Sequence, residues 1–230
     1  VIVNASPAVH RTFYAANYNA SQKAPPPVCW SSDSIGPDST VVEPQAKDCA
    51  SCPQNIKGSG ANGSKACRYS RRIAVVLAQI DMEGNVVSIG DEVYQVTLPA
   101  QSIFGNGKAD KRPLHEYTDF VRTKGESLMS VVSRMSFDTD SATPRLGFRA
   151  VARLNDSQFE ACRDISQSDD ARRAVTLTVA VNREDGDNNE AFAPTQQARP
   201  VQSQQPAVQA APPQPTPQPV AQAVSQAPVD

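Results

Sequence analysis

Four cysteines in a stretch that cannot build a core of its own constrain this chain more than any other feature. Cys29, Cys49, Cys52 and Cys67 are separated by nineteen, two and fourteen residues. Residues 29–67 are rich in Ser, Gly, Pro, Asp and Asn, and show neither a periodic apolar pattern nor enough large apolar residues to bury. Something other than a core must hold them. Cys49-Ala50-Ser51-Cys52 sets two sulfurs on one side of a turn, and two distant cysteines can complete a tetrahedron around zinc. Four zinc–thiolate bonds would supply the missing cohesion, and four protein ligands leave no open position, so the metal would be structural. Two disulfides or unpaired thiols are the alternatives. Cys162 stands apart, on an expected helix, and reads as a small core residue.

Composition divides the rest of the 230 residues. Residues 1–28 are polar, end in Ala24-Pro25-Pro26-Pro27 and read as an extended arm before a zinc-binding loop region at 29–72. Residues 73–182 carry the strand patterns. Residues 183–230 begin with Glu184, Asp185, Asp187 and Glu190 and continue as a tail. Nine of the 19 prolines and ten glutamines fall after Glu190, with one aromatic side chain (Phe192) and two charged ones. Such a segment buries too little to offset its backbone entropy and is expected to be disordered. No apolar run approaches the roughly 20 residues of a membrane-spanning helix. The first residue is Val, and residues 1–20 lack the layout of a signal peptide. With an odd cysteine count, this suggests a reducing, cytosolic setting.

Within 73–182, Ile73–Ala78, Val93–Leu98, Leu128–Phe137, Arg145–Leu154 and Ala174–Val181 read as five strands. Pro99–Phe104 reads as a short helical turn. Leu114, Tyr117 and Val121 fall at helical spacing between Pro113 and Gly125. Ser157-Gln158-Phe159-Glu160 resembles a capping box opening a helix through Cys162. Five or six strands with two or three short helices make a mostly-β, α+β domain.

The charges are uneven although the formal net is only −2, which excludes a uniformly basic, histone-like binder. Pro53 to Arg72 holds Lys57, Lys65, Arg68, Arg71 and Arg72 and no acid, and its glycines leave backbone amides accessible. Phosphate oxygens suit such a surface, although a solvated loop would look the same. In the expected fourth strand Arg145, Arg149 and Arg153 alternate with apolar residues, so they would repeat roughly every 13 Å on one face. Arg134 could join them from the third strand. This is either a track for a single strand's phosphates or a sheet face whose arginines pair with acids. Trp30 and Tyr69, each beside a cysteine of the cluster, offer rings for bases to stack on, although Trp30 could instead plug the knuckle. Tyr94, Phe137 and Phe148 lie on apolar strand faces and read as core; Phe104 is ambiguous.

The strings Cys29-Trp30-Ser31-Ser32-Asp33, Pro37-Asp38, Cys49-x-x-Cys52-Pro53, Gly58-Ser59, Ala66-Cys67-Arg68 and Arg71-Arg72-Ile73-Ala74-Val75 resemble a group of bacteriophage single-stranded DNA-binding proteins. Leu98-Pro99-Ala100-x-Ser102 and Phe137-Asp138-x-x-x-Ala142-x-Pro144-x-Leu146-x-Phe148-Arg149 fit the same group, so the resemblance covers about residues 12–180. A more distant one is to the helix-destabilising proteins of tailed phages, whose OB-fold carries a zinc-binding insertion with one histidine ligand. Here all four candidates are cysteines. The resemblance implies an OB-fold-like five-stranded barrel with a zinc-binding loop insertion. It also implies work on single-stranded DNA in phage replication or recombination, in the cytoplasm of the infected host, with phage replication or recombination proteins as further partners.

A sequence-tolerant single-strand binder accounts for the basic loop, the arginine strand, the aromatics and the tail. A zinc-stabilised structural or adaptor protein that binds another phage protein accounts for the cysteines and tail. An enzyme is not expected: there is no P-loop and no HxE with a following PCxxC, and His10 and His115 lie far apart with no nucleophile beside either.

Overall fold

The computed structural model describes residues 1–15, 21, 25–107, 110–139, 141, 143 and 145–179. Along the chain run β1 (Ile2–Ala5), β2 (His10–Phe13), β3 (Cys29–Ser31), β4 (Arg68–Val75), β5 (Ala78–Ile80), β6 (Val86–Ile89) and β7 (Tyr94–Pro99). They are followed by α1 (Ala100–Ile103), α2 (Leu114–Thr123), β8 (Val131–Phe137), β9 (Leu146–Arg153), α3 (Asp156–Ser166) and α4 (Asp169–Val175). The acidic linker and disordered tail expected over 183–230 lie outside the described residues.

Ile73-Ala74-Val75-Val76 is apolar at every position, the pattern of a strand buried on both faces, and β4 is the centre of a five-stranded antiparallel sheet. One edge of β4 pairs with β7, from Ser70↔Pro99 to Val75↔Tyr94. The other edge is shared end to end: β1 takes Ile73–Val75 and β2 takes Arg68–Ser70, with β3 beyond β2. On one face Val1, Val3, Ala74 and Val76 pack with Val132, Leu154 and the inner sides of α3 and α4, including Cys162, Ala171 and Ala174. On the other, Ile2, Ile73, Val75 and Leu98 pack with Ile103, Leu114, Tyr117, Val121 and Phe148. The Tyr117 and Phe148 rings stack 5.7 Å apart. Each buried Val, Leu, Ile or Phe among these contributes roughly 1.5–3 kcal/mol.

The mostly-β, α+β class holds, but the residues read as an extended arm enter the sheet as β1 and β2, because Val1-Ile2-Val3 is buried in the core. Among the described residues no sheet closes into a barrel: β5–β6 and β8–β9 form two-stranded sheets apart from the central one. The expected fifth strand is corrected in part. Ala174 and Val175 end α4, which Ser168 caps by accepting from the amide of Ala171, with Asp169 and Asp170 in the first turn and Arg172 and Arg173 in the last. The capping box opens α3 two residues earlier than read, from Asn155 with Gln158. The α2 reading stands, and Gly125, at φ +75°, takes the left-handed position after its end. Phe148 is core, while Tyr94 and Phe137 are exposed.

His10 is buried in β2 with its Nδ1 unpartnered. Burial, and then the charges of Arg72 and Arg71, hold its pKa below the ordinary histidine value. The unfolded ring gains its proton first as pH falls, so the stability from burying a neutral ring is complete above about pH 6.5 and is lost below it. Urea midpoints measured at pH 7.5 and 5.5 are expected to fall at the lower pH, and to fall less in His10→Gln. An equal drop in both proteins would place the titrating group elsewhere.

Candidate nucleic-acid interface and cysteine knuckle

The strand pairing gathers the cysteines. Cys29 lies opposite Phe13 on β2, whose neighbour Thr12 lies opposite Arg68 on β4, directly after Cys67. Cys29 and Cys67 thus reach the same end of the sheet from either side of β2. The loop between them folds back on itself. The Cys49 amide donates to the Ile35 carbonyl (2.8 Å), and the Cys67 amide donates to the Gln54 carbonyl (2.8 Å), beside the first of the loop's two 3₁₀ turns, Pro53–Asn55 and Ala61–Gly63. Gly60 is required by close approach, since a Cβ there would stand 2.8 Å from the backbone of Lys65 and Ala66.

All four cysteines line one pocket of about 20 Å³, enough for a single water-sized particle. All four are free cysteines in this structure. Among the described residues no three His, Cys, Asp or Glu side chains form a metal-holding group. Burial pushes the Cys67 thiol up to about 11; Arg11 opposes this, and Cys52, Cys49 and Cys29 add to it. Trp30 is only 7% exposed and lines the same pocket, so its ring plugs the knuckle and is not open to a base.

Beside the knuckle lies a cleft of about 870 Å³, within the range of ligand sites, lined by Lys65, Arg68, Tyr69, Gln101, Phe104 and Thr143 among others. The Tyr69 and Phe104 rings meet edge to face at 6.2 Å, and Phe104 meets His115 in the same way at 4.9 Å. Phe104 is 40% exposed, and Arg11 lies over the Tyr69 ring at 4.5 Å. The Tyr69 hydroxyl donates to Asn55 Oδ1 (2.6 Å), and Lys65 Nζ donates to the same oxygen (3.0 Å) and to the tyrosine oxygen (3.3 Å). A second groove, of about 480 Å³, opens over the sheet between Tyr14, Arg72, Thr97 and Val179, and shares Arg68, Tyr69 and Pro99 with the cleft.

The basic residues separate into groups. Lys65 and Arg68 are exposed and line the cleft, and Arg72 lines the groove while donating to the Thr176 carbonyl. Lys57 is exposed but lines neither. Arg71 is half-buried and spent on structure, donating through Nε and Nη2 to the Ser6 carbonyl (3.0 and 2.8 Å). The arginine track on β9 is not formed. A bulge leaves Val151 without a partner between the pairs Val132↔Ala152 and Ser133↔Ala150. Phe148 and Ala150 therefore face one core, and Ala152 and Leu154 the other. Arg149 pairs with Asp110 (2.8 Å), Arg153 with Glu126 (2.9 Å), and Arg145 donates to the Asn106 carbonyl (2.6 Å). Arg134 lies opposite Arg149, and none of these four lines the cleft or the groove.

Sequence reasoning missed Arg11, Asn55 and the cleft position of Phe104. Arg11 sat in the supposed arm, and Asn55 in a loop full of polar residues. Phe104 carried one signal, an aromatic residue just after a helical turn and before a glycine. Compared with known proteins, the chain matches no family model, no curated protein and no solved structure.

Proposed function

We propose that the protein is a zinc-stabilised, sequence-tolerant single-stranded DNA-binding protein, acting in phage replication or recombination inside the host cell. One observation carries the reading: the cleft brings the rings of Tyr69 and Phe104 together with Lys65 and Arg68, with no carboxylate among its described lining residues. Rings to stack on and cations along a backbone path are what a single strand requires. Zinc would be held by Cys29, Cys49, Cys52 and Cys67, and would supply structural cross-linking of residues that have no core. Its support is that four thiols from separated segments line one ion-sized pocket. The kinship with OB-fold proteins enters this proposal as shared work on single strands, not as a shared barrel. This is a reading of a binder, not an enzyme.

Anisotropy of a labelled oligonucleotide against its duplex, titrated with salt, tests the proposal. If Lys65, Arg68 and Arg72 each neutralise a phosphate, the log–log slope on single strands is about −2. Arg68→Ala is expected to flatten it by about 0.7, and Arg149→Ala, already paired with Asp110, to leave it unchanged. Equal affinity for duplex and single strand, or none for either at low salt, would sink the reading. It would favour an adaptor, for which the exposed Ile35, Val42 and Ile56 on the knuckle loop would supply the contact.

A further inference from the structure

Asn55 occupies an unusual place between the knuckle and the cleft. Its position is fixed first: it closes the 3₁₀ turn that follows Cys52, and its amide donates to the Cys52 carbonyl at 2.9 Å. Its side chain then faces two ways. Nδ2 donates to the Cys49 carbonyl (2.9 Å), inside the cysteine loop. Oδ1 accepts from the Tyr69 hydroxyl (2.6 Å) and from Lys65 Nζ (3.0 Å), at the cleft. Both lone pairs of that oxygen are in use. Arg11 makes a parallel link, donating from Nη1 to the same Cys49 carbonyl (3.2 Å) while lying over the Tyr69 ring.

We propose that Asn55 is the positioning residue that ties the cleft's tyrosine and lysine to the cysteine loop, so that a movement of that loop is passed on to the cleft. This rests on the single-strand reading above. The reason is geometric. Arg11 and Phe104 meet the Tyr69 ring, but its hydroxyl is fixed by Asn55 Oδ1, and the flexible Lys65 stem is held by that same oxygen, by the hydroxyl and by the ring at 5.4 Å. A ring and a charge held in place give up less freedom when a strand arrives.

The test is a double-mutant cycle on the full chain with a labelled deoxythymidine oligomer, using Asn55→Ala, Tyr69→Phe and the pair. Each single change is expected to weaken binding roughly three- to tenfold. The pair is expected to weaken it no more than the worse single change, because both remove the same link. Metal content and melting temperature, read alongside, are expected to shift little in Tyr69→Phe, which loses only a hydroxyl. Should Asn55→Ala loosen the knuckle, Tyr69→Phe still decides, because a purely stacking ring would not miss its oxygen. Binding by Tyr69→Phe equal to the unaltered protein, or fully additive losses in the cycle, would overturn the inference while leaving single-strand binding standing. No binding by the unaltered protein would remove both.

Discussion

Chelating the proposed zinc, or replacing Cys52 by Ser, is expected to weaken the proposed single-strand binding at least tenfold while the central sheet stays folded. The loop from 29 to 67 shares no residue with either core cluster; its buried apolar groups are Trp30, Cys49, Cys52 and Cys67. Structural zinc contributes apparent free energies of about 10–16 kcal/mol in small domains, more than such a loop can replace by burial. Hydrogen exchange should rise first in residues 29–67, and β4, β7 and α2 should keep their protection. Binding should fall at least tenfold, because the Cys49 carbonyl that anchors Asn55 and Arg11 moves with the loop. Purified protein with no zinc, or chelated protein that binds unchanged, would show that the thiols hold the knuckle by other means.

The second large effect is at Phe104. Its ring is 40% exposed, sits between Tyr69 and His115, and lies outside both core clusters. Phe104→Ala is expected to cost about 1–3 kcal/mol in oligonucleotide affinity, as lost stacking does, with the salt slope unchanged and the melting temperature nearly so. Trp30→Ala is the contrasting case. That ring is buried against the cysteines, so its loss should appear as instability of the knuckle, several kcal/mol in scale for a large aromatic side chain. If Phe104→Ala bound normally, the cleft would not be where bases stack.

Much of this could be read from the chain before any coordinates, for reasons that differ by element. The helix at Leu114–Thr123 announces itself because apolar spacing, a proline start and a glycine stop agree, and each acts locally. The cysteine cluster is legible because spacing and loop composition point the same way. The N-terminal strands are not, since four-residue pieces owe their conformation to β4, which lies some 60 residues away. The arginine stripe failed at a bulge: one extra residue reverses the alternation, and two-residue periodicity does not foresee it. Its acids, Asp110 and Glu126, lie in connecting segments that strand patterns do not describe. α4 was misread where β-branched residues follow a helix end, since the serine cap and paired charges upstream outweigh local preference.

β4 carries a further consequence, this time for speed. In eight residues without a glycine or proline it passes from the knuckle, through Arg68 and Tyr69, to Ile73–Val75, paired along one edge at its start and along both at its end. No hinge separates the ring that would meet a base from the part of the protein that is hardest to move. In the proposed binding, the backbone that carries Tyr69 is therefore already in place before a strand arrives. For the proposed single-strand binding, encounter is then expected to be limited by diffusion and charge, and differences among variants that keep β4 intact to fall mainly on how long a bound strand stays.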